Sequence, residues 1–348
     1  MKKIFGIFLV YFYFFFPHFA FAHEAYVLTR QQFLFGLQMN TANPFAPLFD
    51  TRHVQLSILI TICVVVAYSL VLLWSTTKPA SLVDTFIKKA KVVGPFIIRL
   101  AISSSFFYAA ISNSILGPEI SLSNVVGGEI IRFSLFFIAL TIFLGIFVEI
   151  SAFVGLIIFV YITKYYGLYM FTYMDYLGEL LVLFLFGSRF LSIDRILFGK
   201  KIFFLLLEKC KEYEIPIVRI LYGTALIYAG LSIKFQHQQI SIWVYNQYHL
   251  KDFFHASSEF IAAGAGLSEI LIGLFILFGF VMRFTILISL FFITISLLYF
   301  HELIWPHLML YGISFSLLIN SSDRFTIDHY MIPYGRSVLK KVFRVTGK

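Results

Sequence analysis

The chain repeats itself inside apolar sequence. Moved forward by 120 positions, Arg99 falls on Arg219, Tyr108 on Tyr228, Ala109 on Ala229 and Ser112 on Ser232. The same shift carries Glu149 onto Glu269, each within a long apolar run. A second matched pair, Arg189-Phe190…Ile193-Asp194 and Arg324-Phe325…Ile327-Asp328, closes each unit with a shift that has drifted. A repeat constrains the fold strongly, because one module built twice must bury matching faces.

Composition decides where that module sits. Apolar residues make up 60% of the chain, charged residues 13%, and the mean hydropathy is +0.89. Soluble domains carry about twice that share of charge. Several apolar runs exceed the ~18 residues that mark a spanning helix, and none shows the two-residue alternation of a membrane barrel. The expectation is an all-α, multi-pass membrane protein in a lipid bilayer. The net charge of +9 does not indicate nucleic acid, because no such motif is present and the basic residues fall where membrane topology would put them. Cys63 and Cys210 form no CxxC, so neither a thiol relay nor a zinc knuckle is supported.

Residues 1–22 read as a cleaved signal peptide: Lys2-Lys3, an apolar core from Ile4 to Phe16, then Ala20-Phe21-Ala22. The competing reading is an uncleaved anchor helix. Residues 23–94 then hold an exported segment, a leading span and a basic loop. Residues 95–195 form a first four-helix unit, 196–215 a basic linker or interfacial helix, 216–330 a second four-helix unit and 331–348 a basic tail. Nine spans are expected, near 54–74, 95–114, 133–160, 165–178, 179–192, 216–235, 259–281, 284–300 and 305–320, with a single long helix as the competing reading of 161–193. Alternate loops collect Lys78, Lys88, Lys89 and Lys91, then Lys164, then Arg189, Arg195, Lys200, Lys201, Lys209 and Lys211, then Arg283 and the tail. By the positive-inside rule this puts the mature N-terminus outside and the C-terminus in the cytoplasm of a cell (inner) membrane protein. Four spans per unit make the repeat parallel. Arg99 and Arg219 would then snorkel to the inner interface.

Glu149 and Glu269 are the first candidates for chemistry. A charge at the bilayer centre costs ~2.5–3.5 kcal/mol on insertion scales, so each should face the bundle interior. Such a group suits proton handling or a hydrogen bond to a quinone oxygen. The structural alternative is a protonated Glu bonded to a neighbouring helix. Tyr108 and Tyr228 would support the glutamates or simply pack. Each lies nine residues after its Arg, or ~13.5 Å along a helix. Histidines concentrate on the predicted outer side. His23, the first mature residue, offers an amine and a ring nitrogen, an arrangement suited to Cu(II), with His53 or His307 as further ligands. No HxH or HExxH spacing supports that copper site, and interfacial histidines are the alternative. GxGxxG, P-loop, GxSxG and EF-hand motifs are absent. Gly264, Gly266 and Gly273 are expected to permit close helix packing.

The second unit also carries a resemblance. Pro216 to Gly223, Tyr228 to Lys234, Phe260 to Gly264, Glu269 to Gly273, Pro306-His307-Leu308 and Asp323 to Asp328 resemble DoxX-like membrane proteins over roughly 216–330. The resemblance implies a four-helix membrane module. The first unit is a weaker version, with Ser114 opposite Lys234 and no counterpart of His307. The family takes its name from a small subunit of quinone-reducing sulfur metabolism, and related members are associated with maturation or redox partners. The resemblance therefore implies a component of a quinone-linked redox system with a periplasmic or membrane redox partner, and leaves open whether the chain is itself an enzyme. Transport or delivery of copper or a proton-coupled solute is the alternative. A further one is a non-catalytic scaffold that holds a periplasmic partner through 23–53 and 236–258.

Overall fold

The computed structural model describes residues 27–187, 191–198, 212–321 and 323–346. The signal peptide, His23 and most of the basic linker lie outside the described residues. Short helices α1 (Arg30–Gly36) and α2 (Ala46–Phe49) precede α3 (Val54–Ser75) and α4 (Lys78–Lys88). Thr29 and Gln32 close a reciprocal capping box at the start of α1. Helix α3 is the most lipid-like element. Its one buried side chain, Tyr68, reaches Thr285 at 3.3 Å and the Phe275 and Phe284 rings.

The first unit follows: α5 (Gly94–Ile111), a short hairpin of β1 (Ser114–Ile115) and β2 (Gly117–Ser121), then α6 (Gly128–Leu144), α7 (Val148–Tyr166), a 3-10 segment (Gly167–Tyr173), α8 (Met174–Phe186) and α9 (Ile193–Phe198). The second unit contains α10 (Glu214–Ala229) running into a π turn (Gly230–Gln236), α11 (Gln238–Gln247), α12 (Leu250–Phe254), α13 (Ser258–Phe278), α14 (Met282–Tyr299), α15 (Ile304–Ile319) and α16 (Ile327–Thr346). Among the described residues six helical stretches are long and apolar enough to cross a membrane: 54–75, 94–111, 148–186, 214–236, 258–278 and 282–299. Helix α15 is apolar but shorter. The chain is a multi-pass helical membrane protein.

The expected boundaries needed correction in the first unit. The segment 133–160 is two helices, divided at Gly145 to Phe147, where Gly145 (φ 71°) caps α6 and Phe147 (φ 48°) starts α7. The apolar stretch 148–186 is also two helices. At 39 residues it would run nearly 60 Å if straight, about twice a hydrocarbon core. Instead the chain breaks at Gly167 (φ 56°), and α8 packs back on α7. The expected division of 165–192 near residue 178 does not occur.

The helices of the two stretches, α5–α8 and α10–α15, interleave. Helix α8 packs on α10, and α15 packs on α5. Trp305 and Met309 of α15 complete the core of the first unit. Val182 and Phe186 of α8 enter the core around Tyr222, Ile276 and Leu317. The region between the two units is therefore continuous protein interior rather than a cleft.

Helices α10 and α13 meet backbone to backbone. A Cβ on Gly223 would lie 2.7 Å from the Gly273 carbonyl oxygen, and one on Gly273 would lie 2.8 Å from that of Gly223. Two turns further on, a Cβ on Gly230 would lie 2.9 Å from the Gly266 carbonyl oxygen and one on Gly266 would lie 2.9 Å from Lys234 Cβ, whereas Gly264 faces open space. Without a hydrophobic force between helices in lipid, such close contact holds them together. Gly223→Leu should separate α10 from α13 and cost about 1–3 kcal/mol or more. A clearly lower thermal midpoint of the purified protein is the expected readout, and Gly264→Leu should leave it unchanged.

Arg99 and Arg219 are buried, each 1% exposed, and do not snorkel. The last carbonyls of a helix have no partners within it, and a cation there is favoured by the helix dipole. Arg99 donates to the carbonyls of Ile142 (3.0 Å), Phe143 (2.9 Å) and Leu191 (3.3 Å). Arg219 donates to those of Ile276 (3.3 Å), Leu277 and Phe325 (3.3 Å), and to Asp323 Oδ2 (3.3 Å). The opposite helix ends are capped by carboxylates. Asp194 accepts from the Phe147 amide (2.8 Å), and Asp328 accepts from the amides of Val281 and Met282 (2.8 Å each). Val281 has φ 44°, costly for a β-branched residue, and the Asp328 contact holds it there.

Candidate functional site

The predicted site residues do not converge on one place. Glu269 lies midway along α13, and its Oε1 is 3.8 Å from Lys234 Nζ. Lys234 sits in the π turn after α10, an irregularity common at functional sites. Its side chain is 8% exposed and that of Glu269 29%, so the glutamate side chain is partly open at the bundle surface although its Oε2 is buried. Tyr228, on the preceding turns of α10, is half-buried with its ring 5.4 Å from Phe171.

Glu149 is placed differently. It occupies the first turn of α7, with its carboxyl against the backbone of Gly187 at the end of α8. That is the Arg99 end of the unit, since Gly145 four residues earlier packs on the Arg99 guanidinium. Tyr108 stands near the other end of α5, against Phe107. The two are therefore not brought together, and Glu149 lies at a helix end whereas Glu269 lies mid-helix.

His53 starts α3, stacks on Phe260 at 4.5 Å and lies 3.9 Å from Asp50. His307 is buried in the first turn of α15, where Nε2 meets Glu302 and Nδ1 lies 2.8 Å from the Leu303 carbonyl. Ser296 donates to the other oxygen of Glu302. The two histidines thus have separate partners. Among the described residues no group of three or more His, Cys, Asp or Glu side chains is arranged for a metal. The segments expected to hold a partner pack on each other: the Thr41 amide donates to the Gln236 carbonyl (2.8 Å), and His237 Nδ1 lies 3.2 Å from the Met39 carbonyl.

Three buried acids were not anticipated. Asp175 and Glu179 lie one turn apart on α8 and are 3% and 0% exposed. Among the described residues Asp175 Oδ1 and both Glu179 oxygens have no hydrogen-bond partner. Asp175 borders a cavity of about 60 Å³ with Tyr169, Thr172, Tyr173, Tyr176 and, across the unit boundary, Pro306. The third acid, Glu119 on β2, accepts from the hydroxyls of Tyr169 (3.0 Å) and Tyr173. Burial pushes its carboxyl up to about 7, against the lowering effect of the tyrosines. Tyr176 completes the wall, its hydroxyl 2.5 Å from Ser105 Oγ and 3.2 Å from the Leu116 carbonyl. The sequence signal was available: Asp175 and Glu179 share a helix face in an apolar stretch, which marks an intramembrane site by default.

These geometries separate a partly exposed glutamate side chain, Glu269, from carboxyls sealed inside the bundle. No curated protein and no solved structure matches the chain. The DoxX family model matches residues 215–302, the stretch from α10 to the end of α14 that contains Lys234 and Glu269.

Proposed function

We infer that this chain, with its DoxX domain at 215–302, is the membrane component of a quinone-linked redox system, and that Lys234 and Glu269 form its headgroup site. The observation that carries the reading is the ion pair midway along an apolar helix, with Glu269 partly open to the lipid-facing surface. A lipid-soluble quinone reaches such a site from the side, without a channel. Lys234 can donate a hydrogen bond to a quinone oxygen, and Glu269 can give or take the accompanying proton. Tyr228 would border the approach, and a periplasmic or membrane redox partner would supply the electrons.

The reading favours Glu269 over Glu149. The contacts of Arg99 and Arg219 support an ancestral duplication, because their acceptors Ile142, Phe143 and Leu191 stand 134 residues before Ile276, Leu277 and Phe325. Gly145 and Asp194 stand 134 before Gly279 and Asp328 in the same way. At this shift Glu269 is opposite Leu135 and Glu149 opposite Arg283, so the pair belongs to the second unit alone. The loop charges other than Lys164, which the two helices of 128–166 place at the hairpin end, support an external N-terminus and a cytoplasmic C-terminus in the inner membrane.

The test is quinone binding by the purified full-length protein in lipid vesicles, followed by tryptophan quenching. Glu269→Gln should weaken binding about tenfold or more, the scale of one lost charge-assisted hydrogen bond. Because this change also leaves Lys234 buried without its partner, the double change Lys234→Met with Glu269→Leu controls for folding. Unchanged affinity in both variants would remove the assigned role.

A further inference from the structure

The acids of α8 lie outside the DoxX match and outside the quinone site. Asp175 falls in the first turn of α8 and Glu179 one turn deeper, so their Cβ atoms are about 5–6 Å apart. Helices α7, α10, α15 and α5 enclose them. Two carboxylates at that spacing, both removed from water, cannot both hold a charge without compensation. The titratable groups on the surrounding elements do not supply it. On α10, Tyr222 meets Ser289 and Ser314, and Arg219 is bonded at the end of α13. On α15, His307 is paired with Glu302, and on α5, Arg99 is bonded at the end of α6. Glu149 is at the far end of α7 and α8, Lys234 is paired with Glu269, and above the cavity Glu119 lies with Tyr169 and Tyr173.

The cavity gives Asp175 a route to exchange, and Glu179, one turn away, exchanges through Asp175. Its wall combines the unpartnered Asp175 oxygen with the hydroxyl-bearing residues Thr172, Tyr173 and Tyr176, and Phe33 of α1 closes it on the hairpin side. About 60 Å³ accommodates a few water molecules and no larger ligand. We propose that Asp175 and Glu179 form a buried carboxyl pair that binds and releases a proton through this cavity. Binding forms one O–H bond on a carboxylate oxygen, and release returns that proton to cavity water. Glu119 of the hairpin accepts from Tyr169 and Tyr173 of the cavity wall and is placed to pass the proton onward. The proposal does not rest on the quinone reading.

Infrared spectroscopy of the full-length protein in lipid tests it directly. The expected result at neutral pH is a protonated-carboxyl C=O band that shifts on transfer to D2O. Asp175→Asn and Glu179→Gln should each remove part of that band, and Glu119→Gln separates the contribution of the hairpin acid. The proposal is overturned if no such band is present, if both α8 variants keep it whole, or if it does not respond to D2O. Loss of the band on adding sodium at constant pH would make the pair a metal-cation site and also overturn it. Should both α8 variants fail to fold, the D2O and sodium measurements on the Glu119→Gln protein decide. Quinone affinity should stay unchanged throughout.

Discussion

Arg219→Ala is expected to abolish stable folding. The guanidinium is 1% exposed and supports three carbonyls and a carboxylate drawn from the end of α13 and the segment before α16. Its removal leaves the Ile276 and Leu277 carbonyls without that donor and Asp323 without its cation. Breaking a buried pair costs about 3–5 kcal/mol, against a whole-domain stability of about 5–15 kcal/mol. Arg219→Lys should recover only part of the loss, since one ammonium cannot span the positions the planar fork reaches. Arg99→Ala should also destabilise, because it leaves the carbonyls of Ile142, Phe143 and Leu191 without that donor and removes the cation near Asp194. Thermal unfolding in detergent, with recovery of monodisperse protein, measures all three. An Arg219→Ala protein that melts with the wild type would show that the contacts contribute nothing.

These arginines also show which parts of the architecture were legible in the sequence. Their apolar surroundings and 120-residue spacing announced a repeat. The two helix ends they serve lie 134 residues apart, because α11 and α12 add chain between α10 and α13 where the first unit has only a hairpin. A fixed shift therefore matched Glu149 with Glu269, although one starts a third helix and the other lies inside a second. Hydropathy found α3, α10, α13 and α14 closely, since each is an uninterrupted apolar run. It failed at Gly145–Phe147, where left-handed backbone at Gly145 and Phe147 turns the chain inside an apolar run, and near Gly167 it placed the break a few residues early, at Lys164. Asp175 and Glu179 were overlooked because the repeat drew attention to acids that recurred, and these do not: positions 309 and 313 hold Met and Ile. Glu119 gave no hydropathy signal at all. It belongs to a loop by sequence and becomes interior only when the hairpin folds onto Tyr169 and Tyr173. The interleaving of α8 and α15 has no local signature, because it depends on which of two similar apolar faces each helix meets.

Glu119 carries the second large effect, a dependence of stability on pH. Its carboxyl lies at about 7 in the folded protein against an ordinary value of 4.5, chiefly through burial. A raised acid binds its proton more tightly in the folded state than in the unfolded one, so between these values the folded state holds more protons and stability falls as pH rises. The full stability is present below 4.5 and is lost through about 7. At about 1.4 kcal/mol per pH unit, this amounts to about 3 kcal/mol. Melting of the purified protein between pH 4.5 and 8 should therefore show a midpoint that declines toward neutrality and levels off beyond it. Glu119→Gln keeps the side-chain shape and an acceptor for the tyrosines while removing the titration, so its midpoint should vary far less. A smaller decline remains from Asp328, whose carboxyl is also raised, mainly by burial. A wild-type midpoint that rises from pH 4.5 to 7 would mean that Glu119 is ionised in the folded protein. It would then be a fixed charge between Tyr169 and Tyr173, unable to pass a proton from the α8 acids.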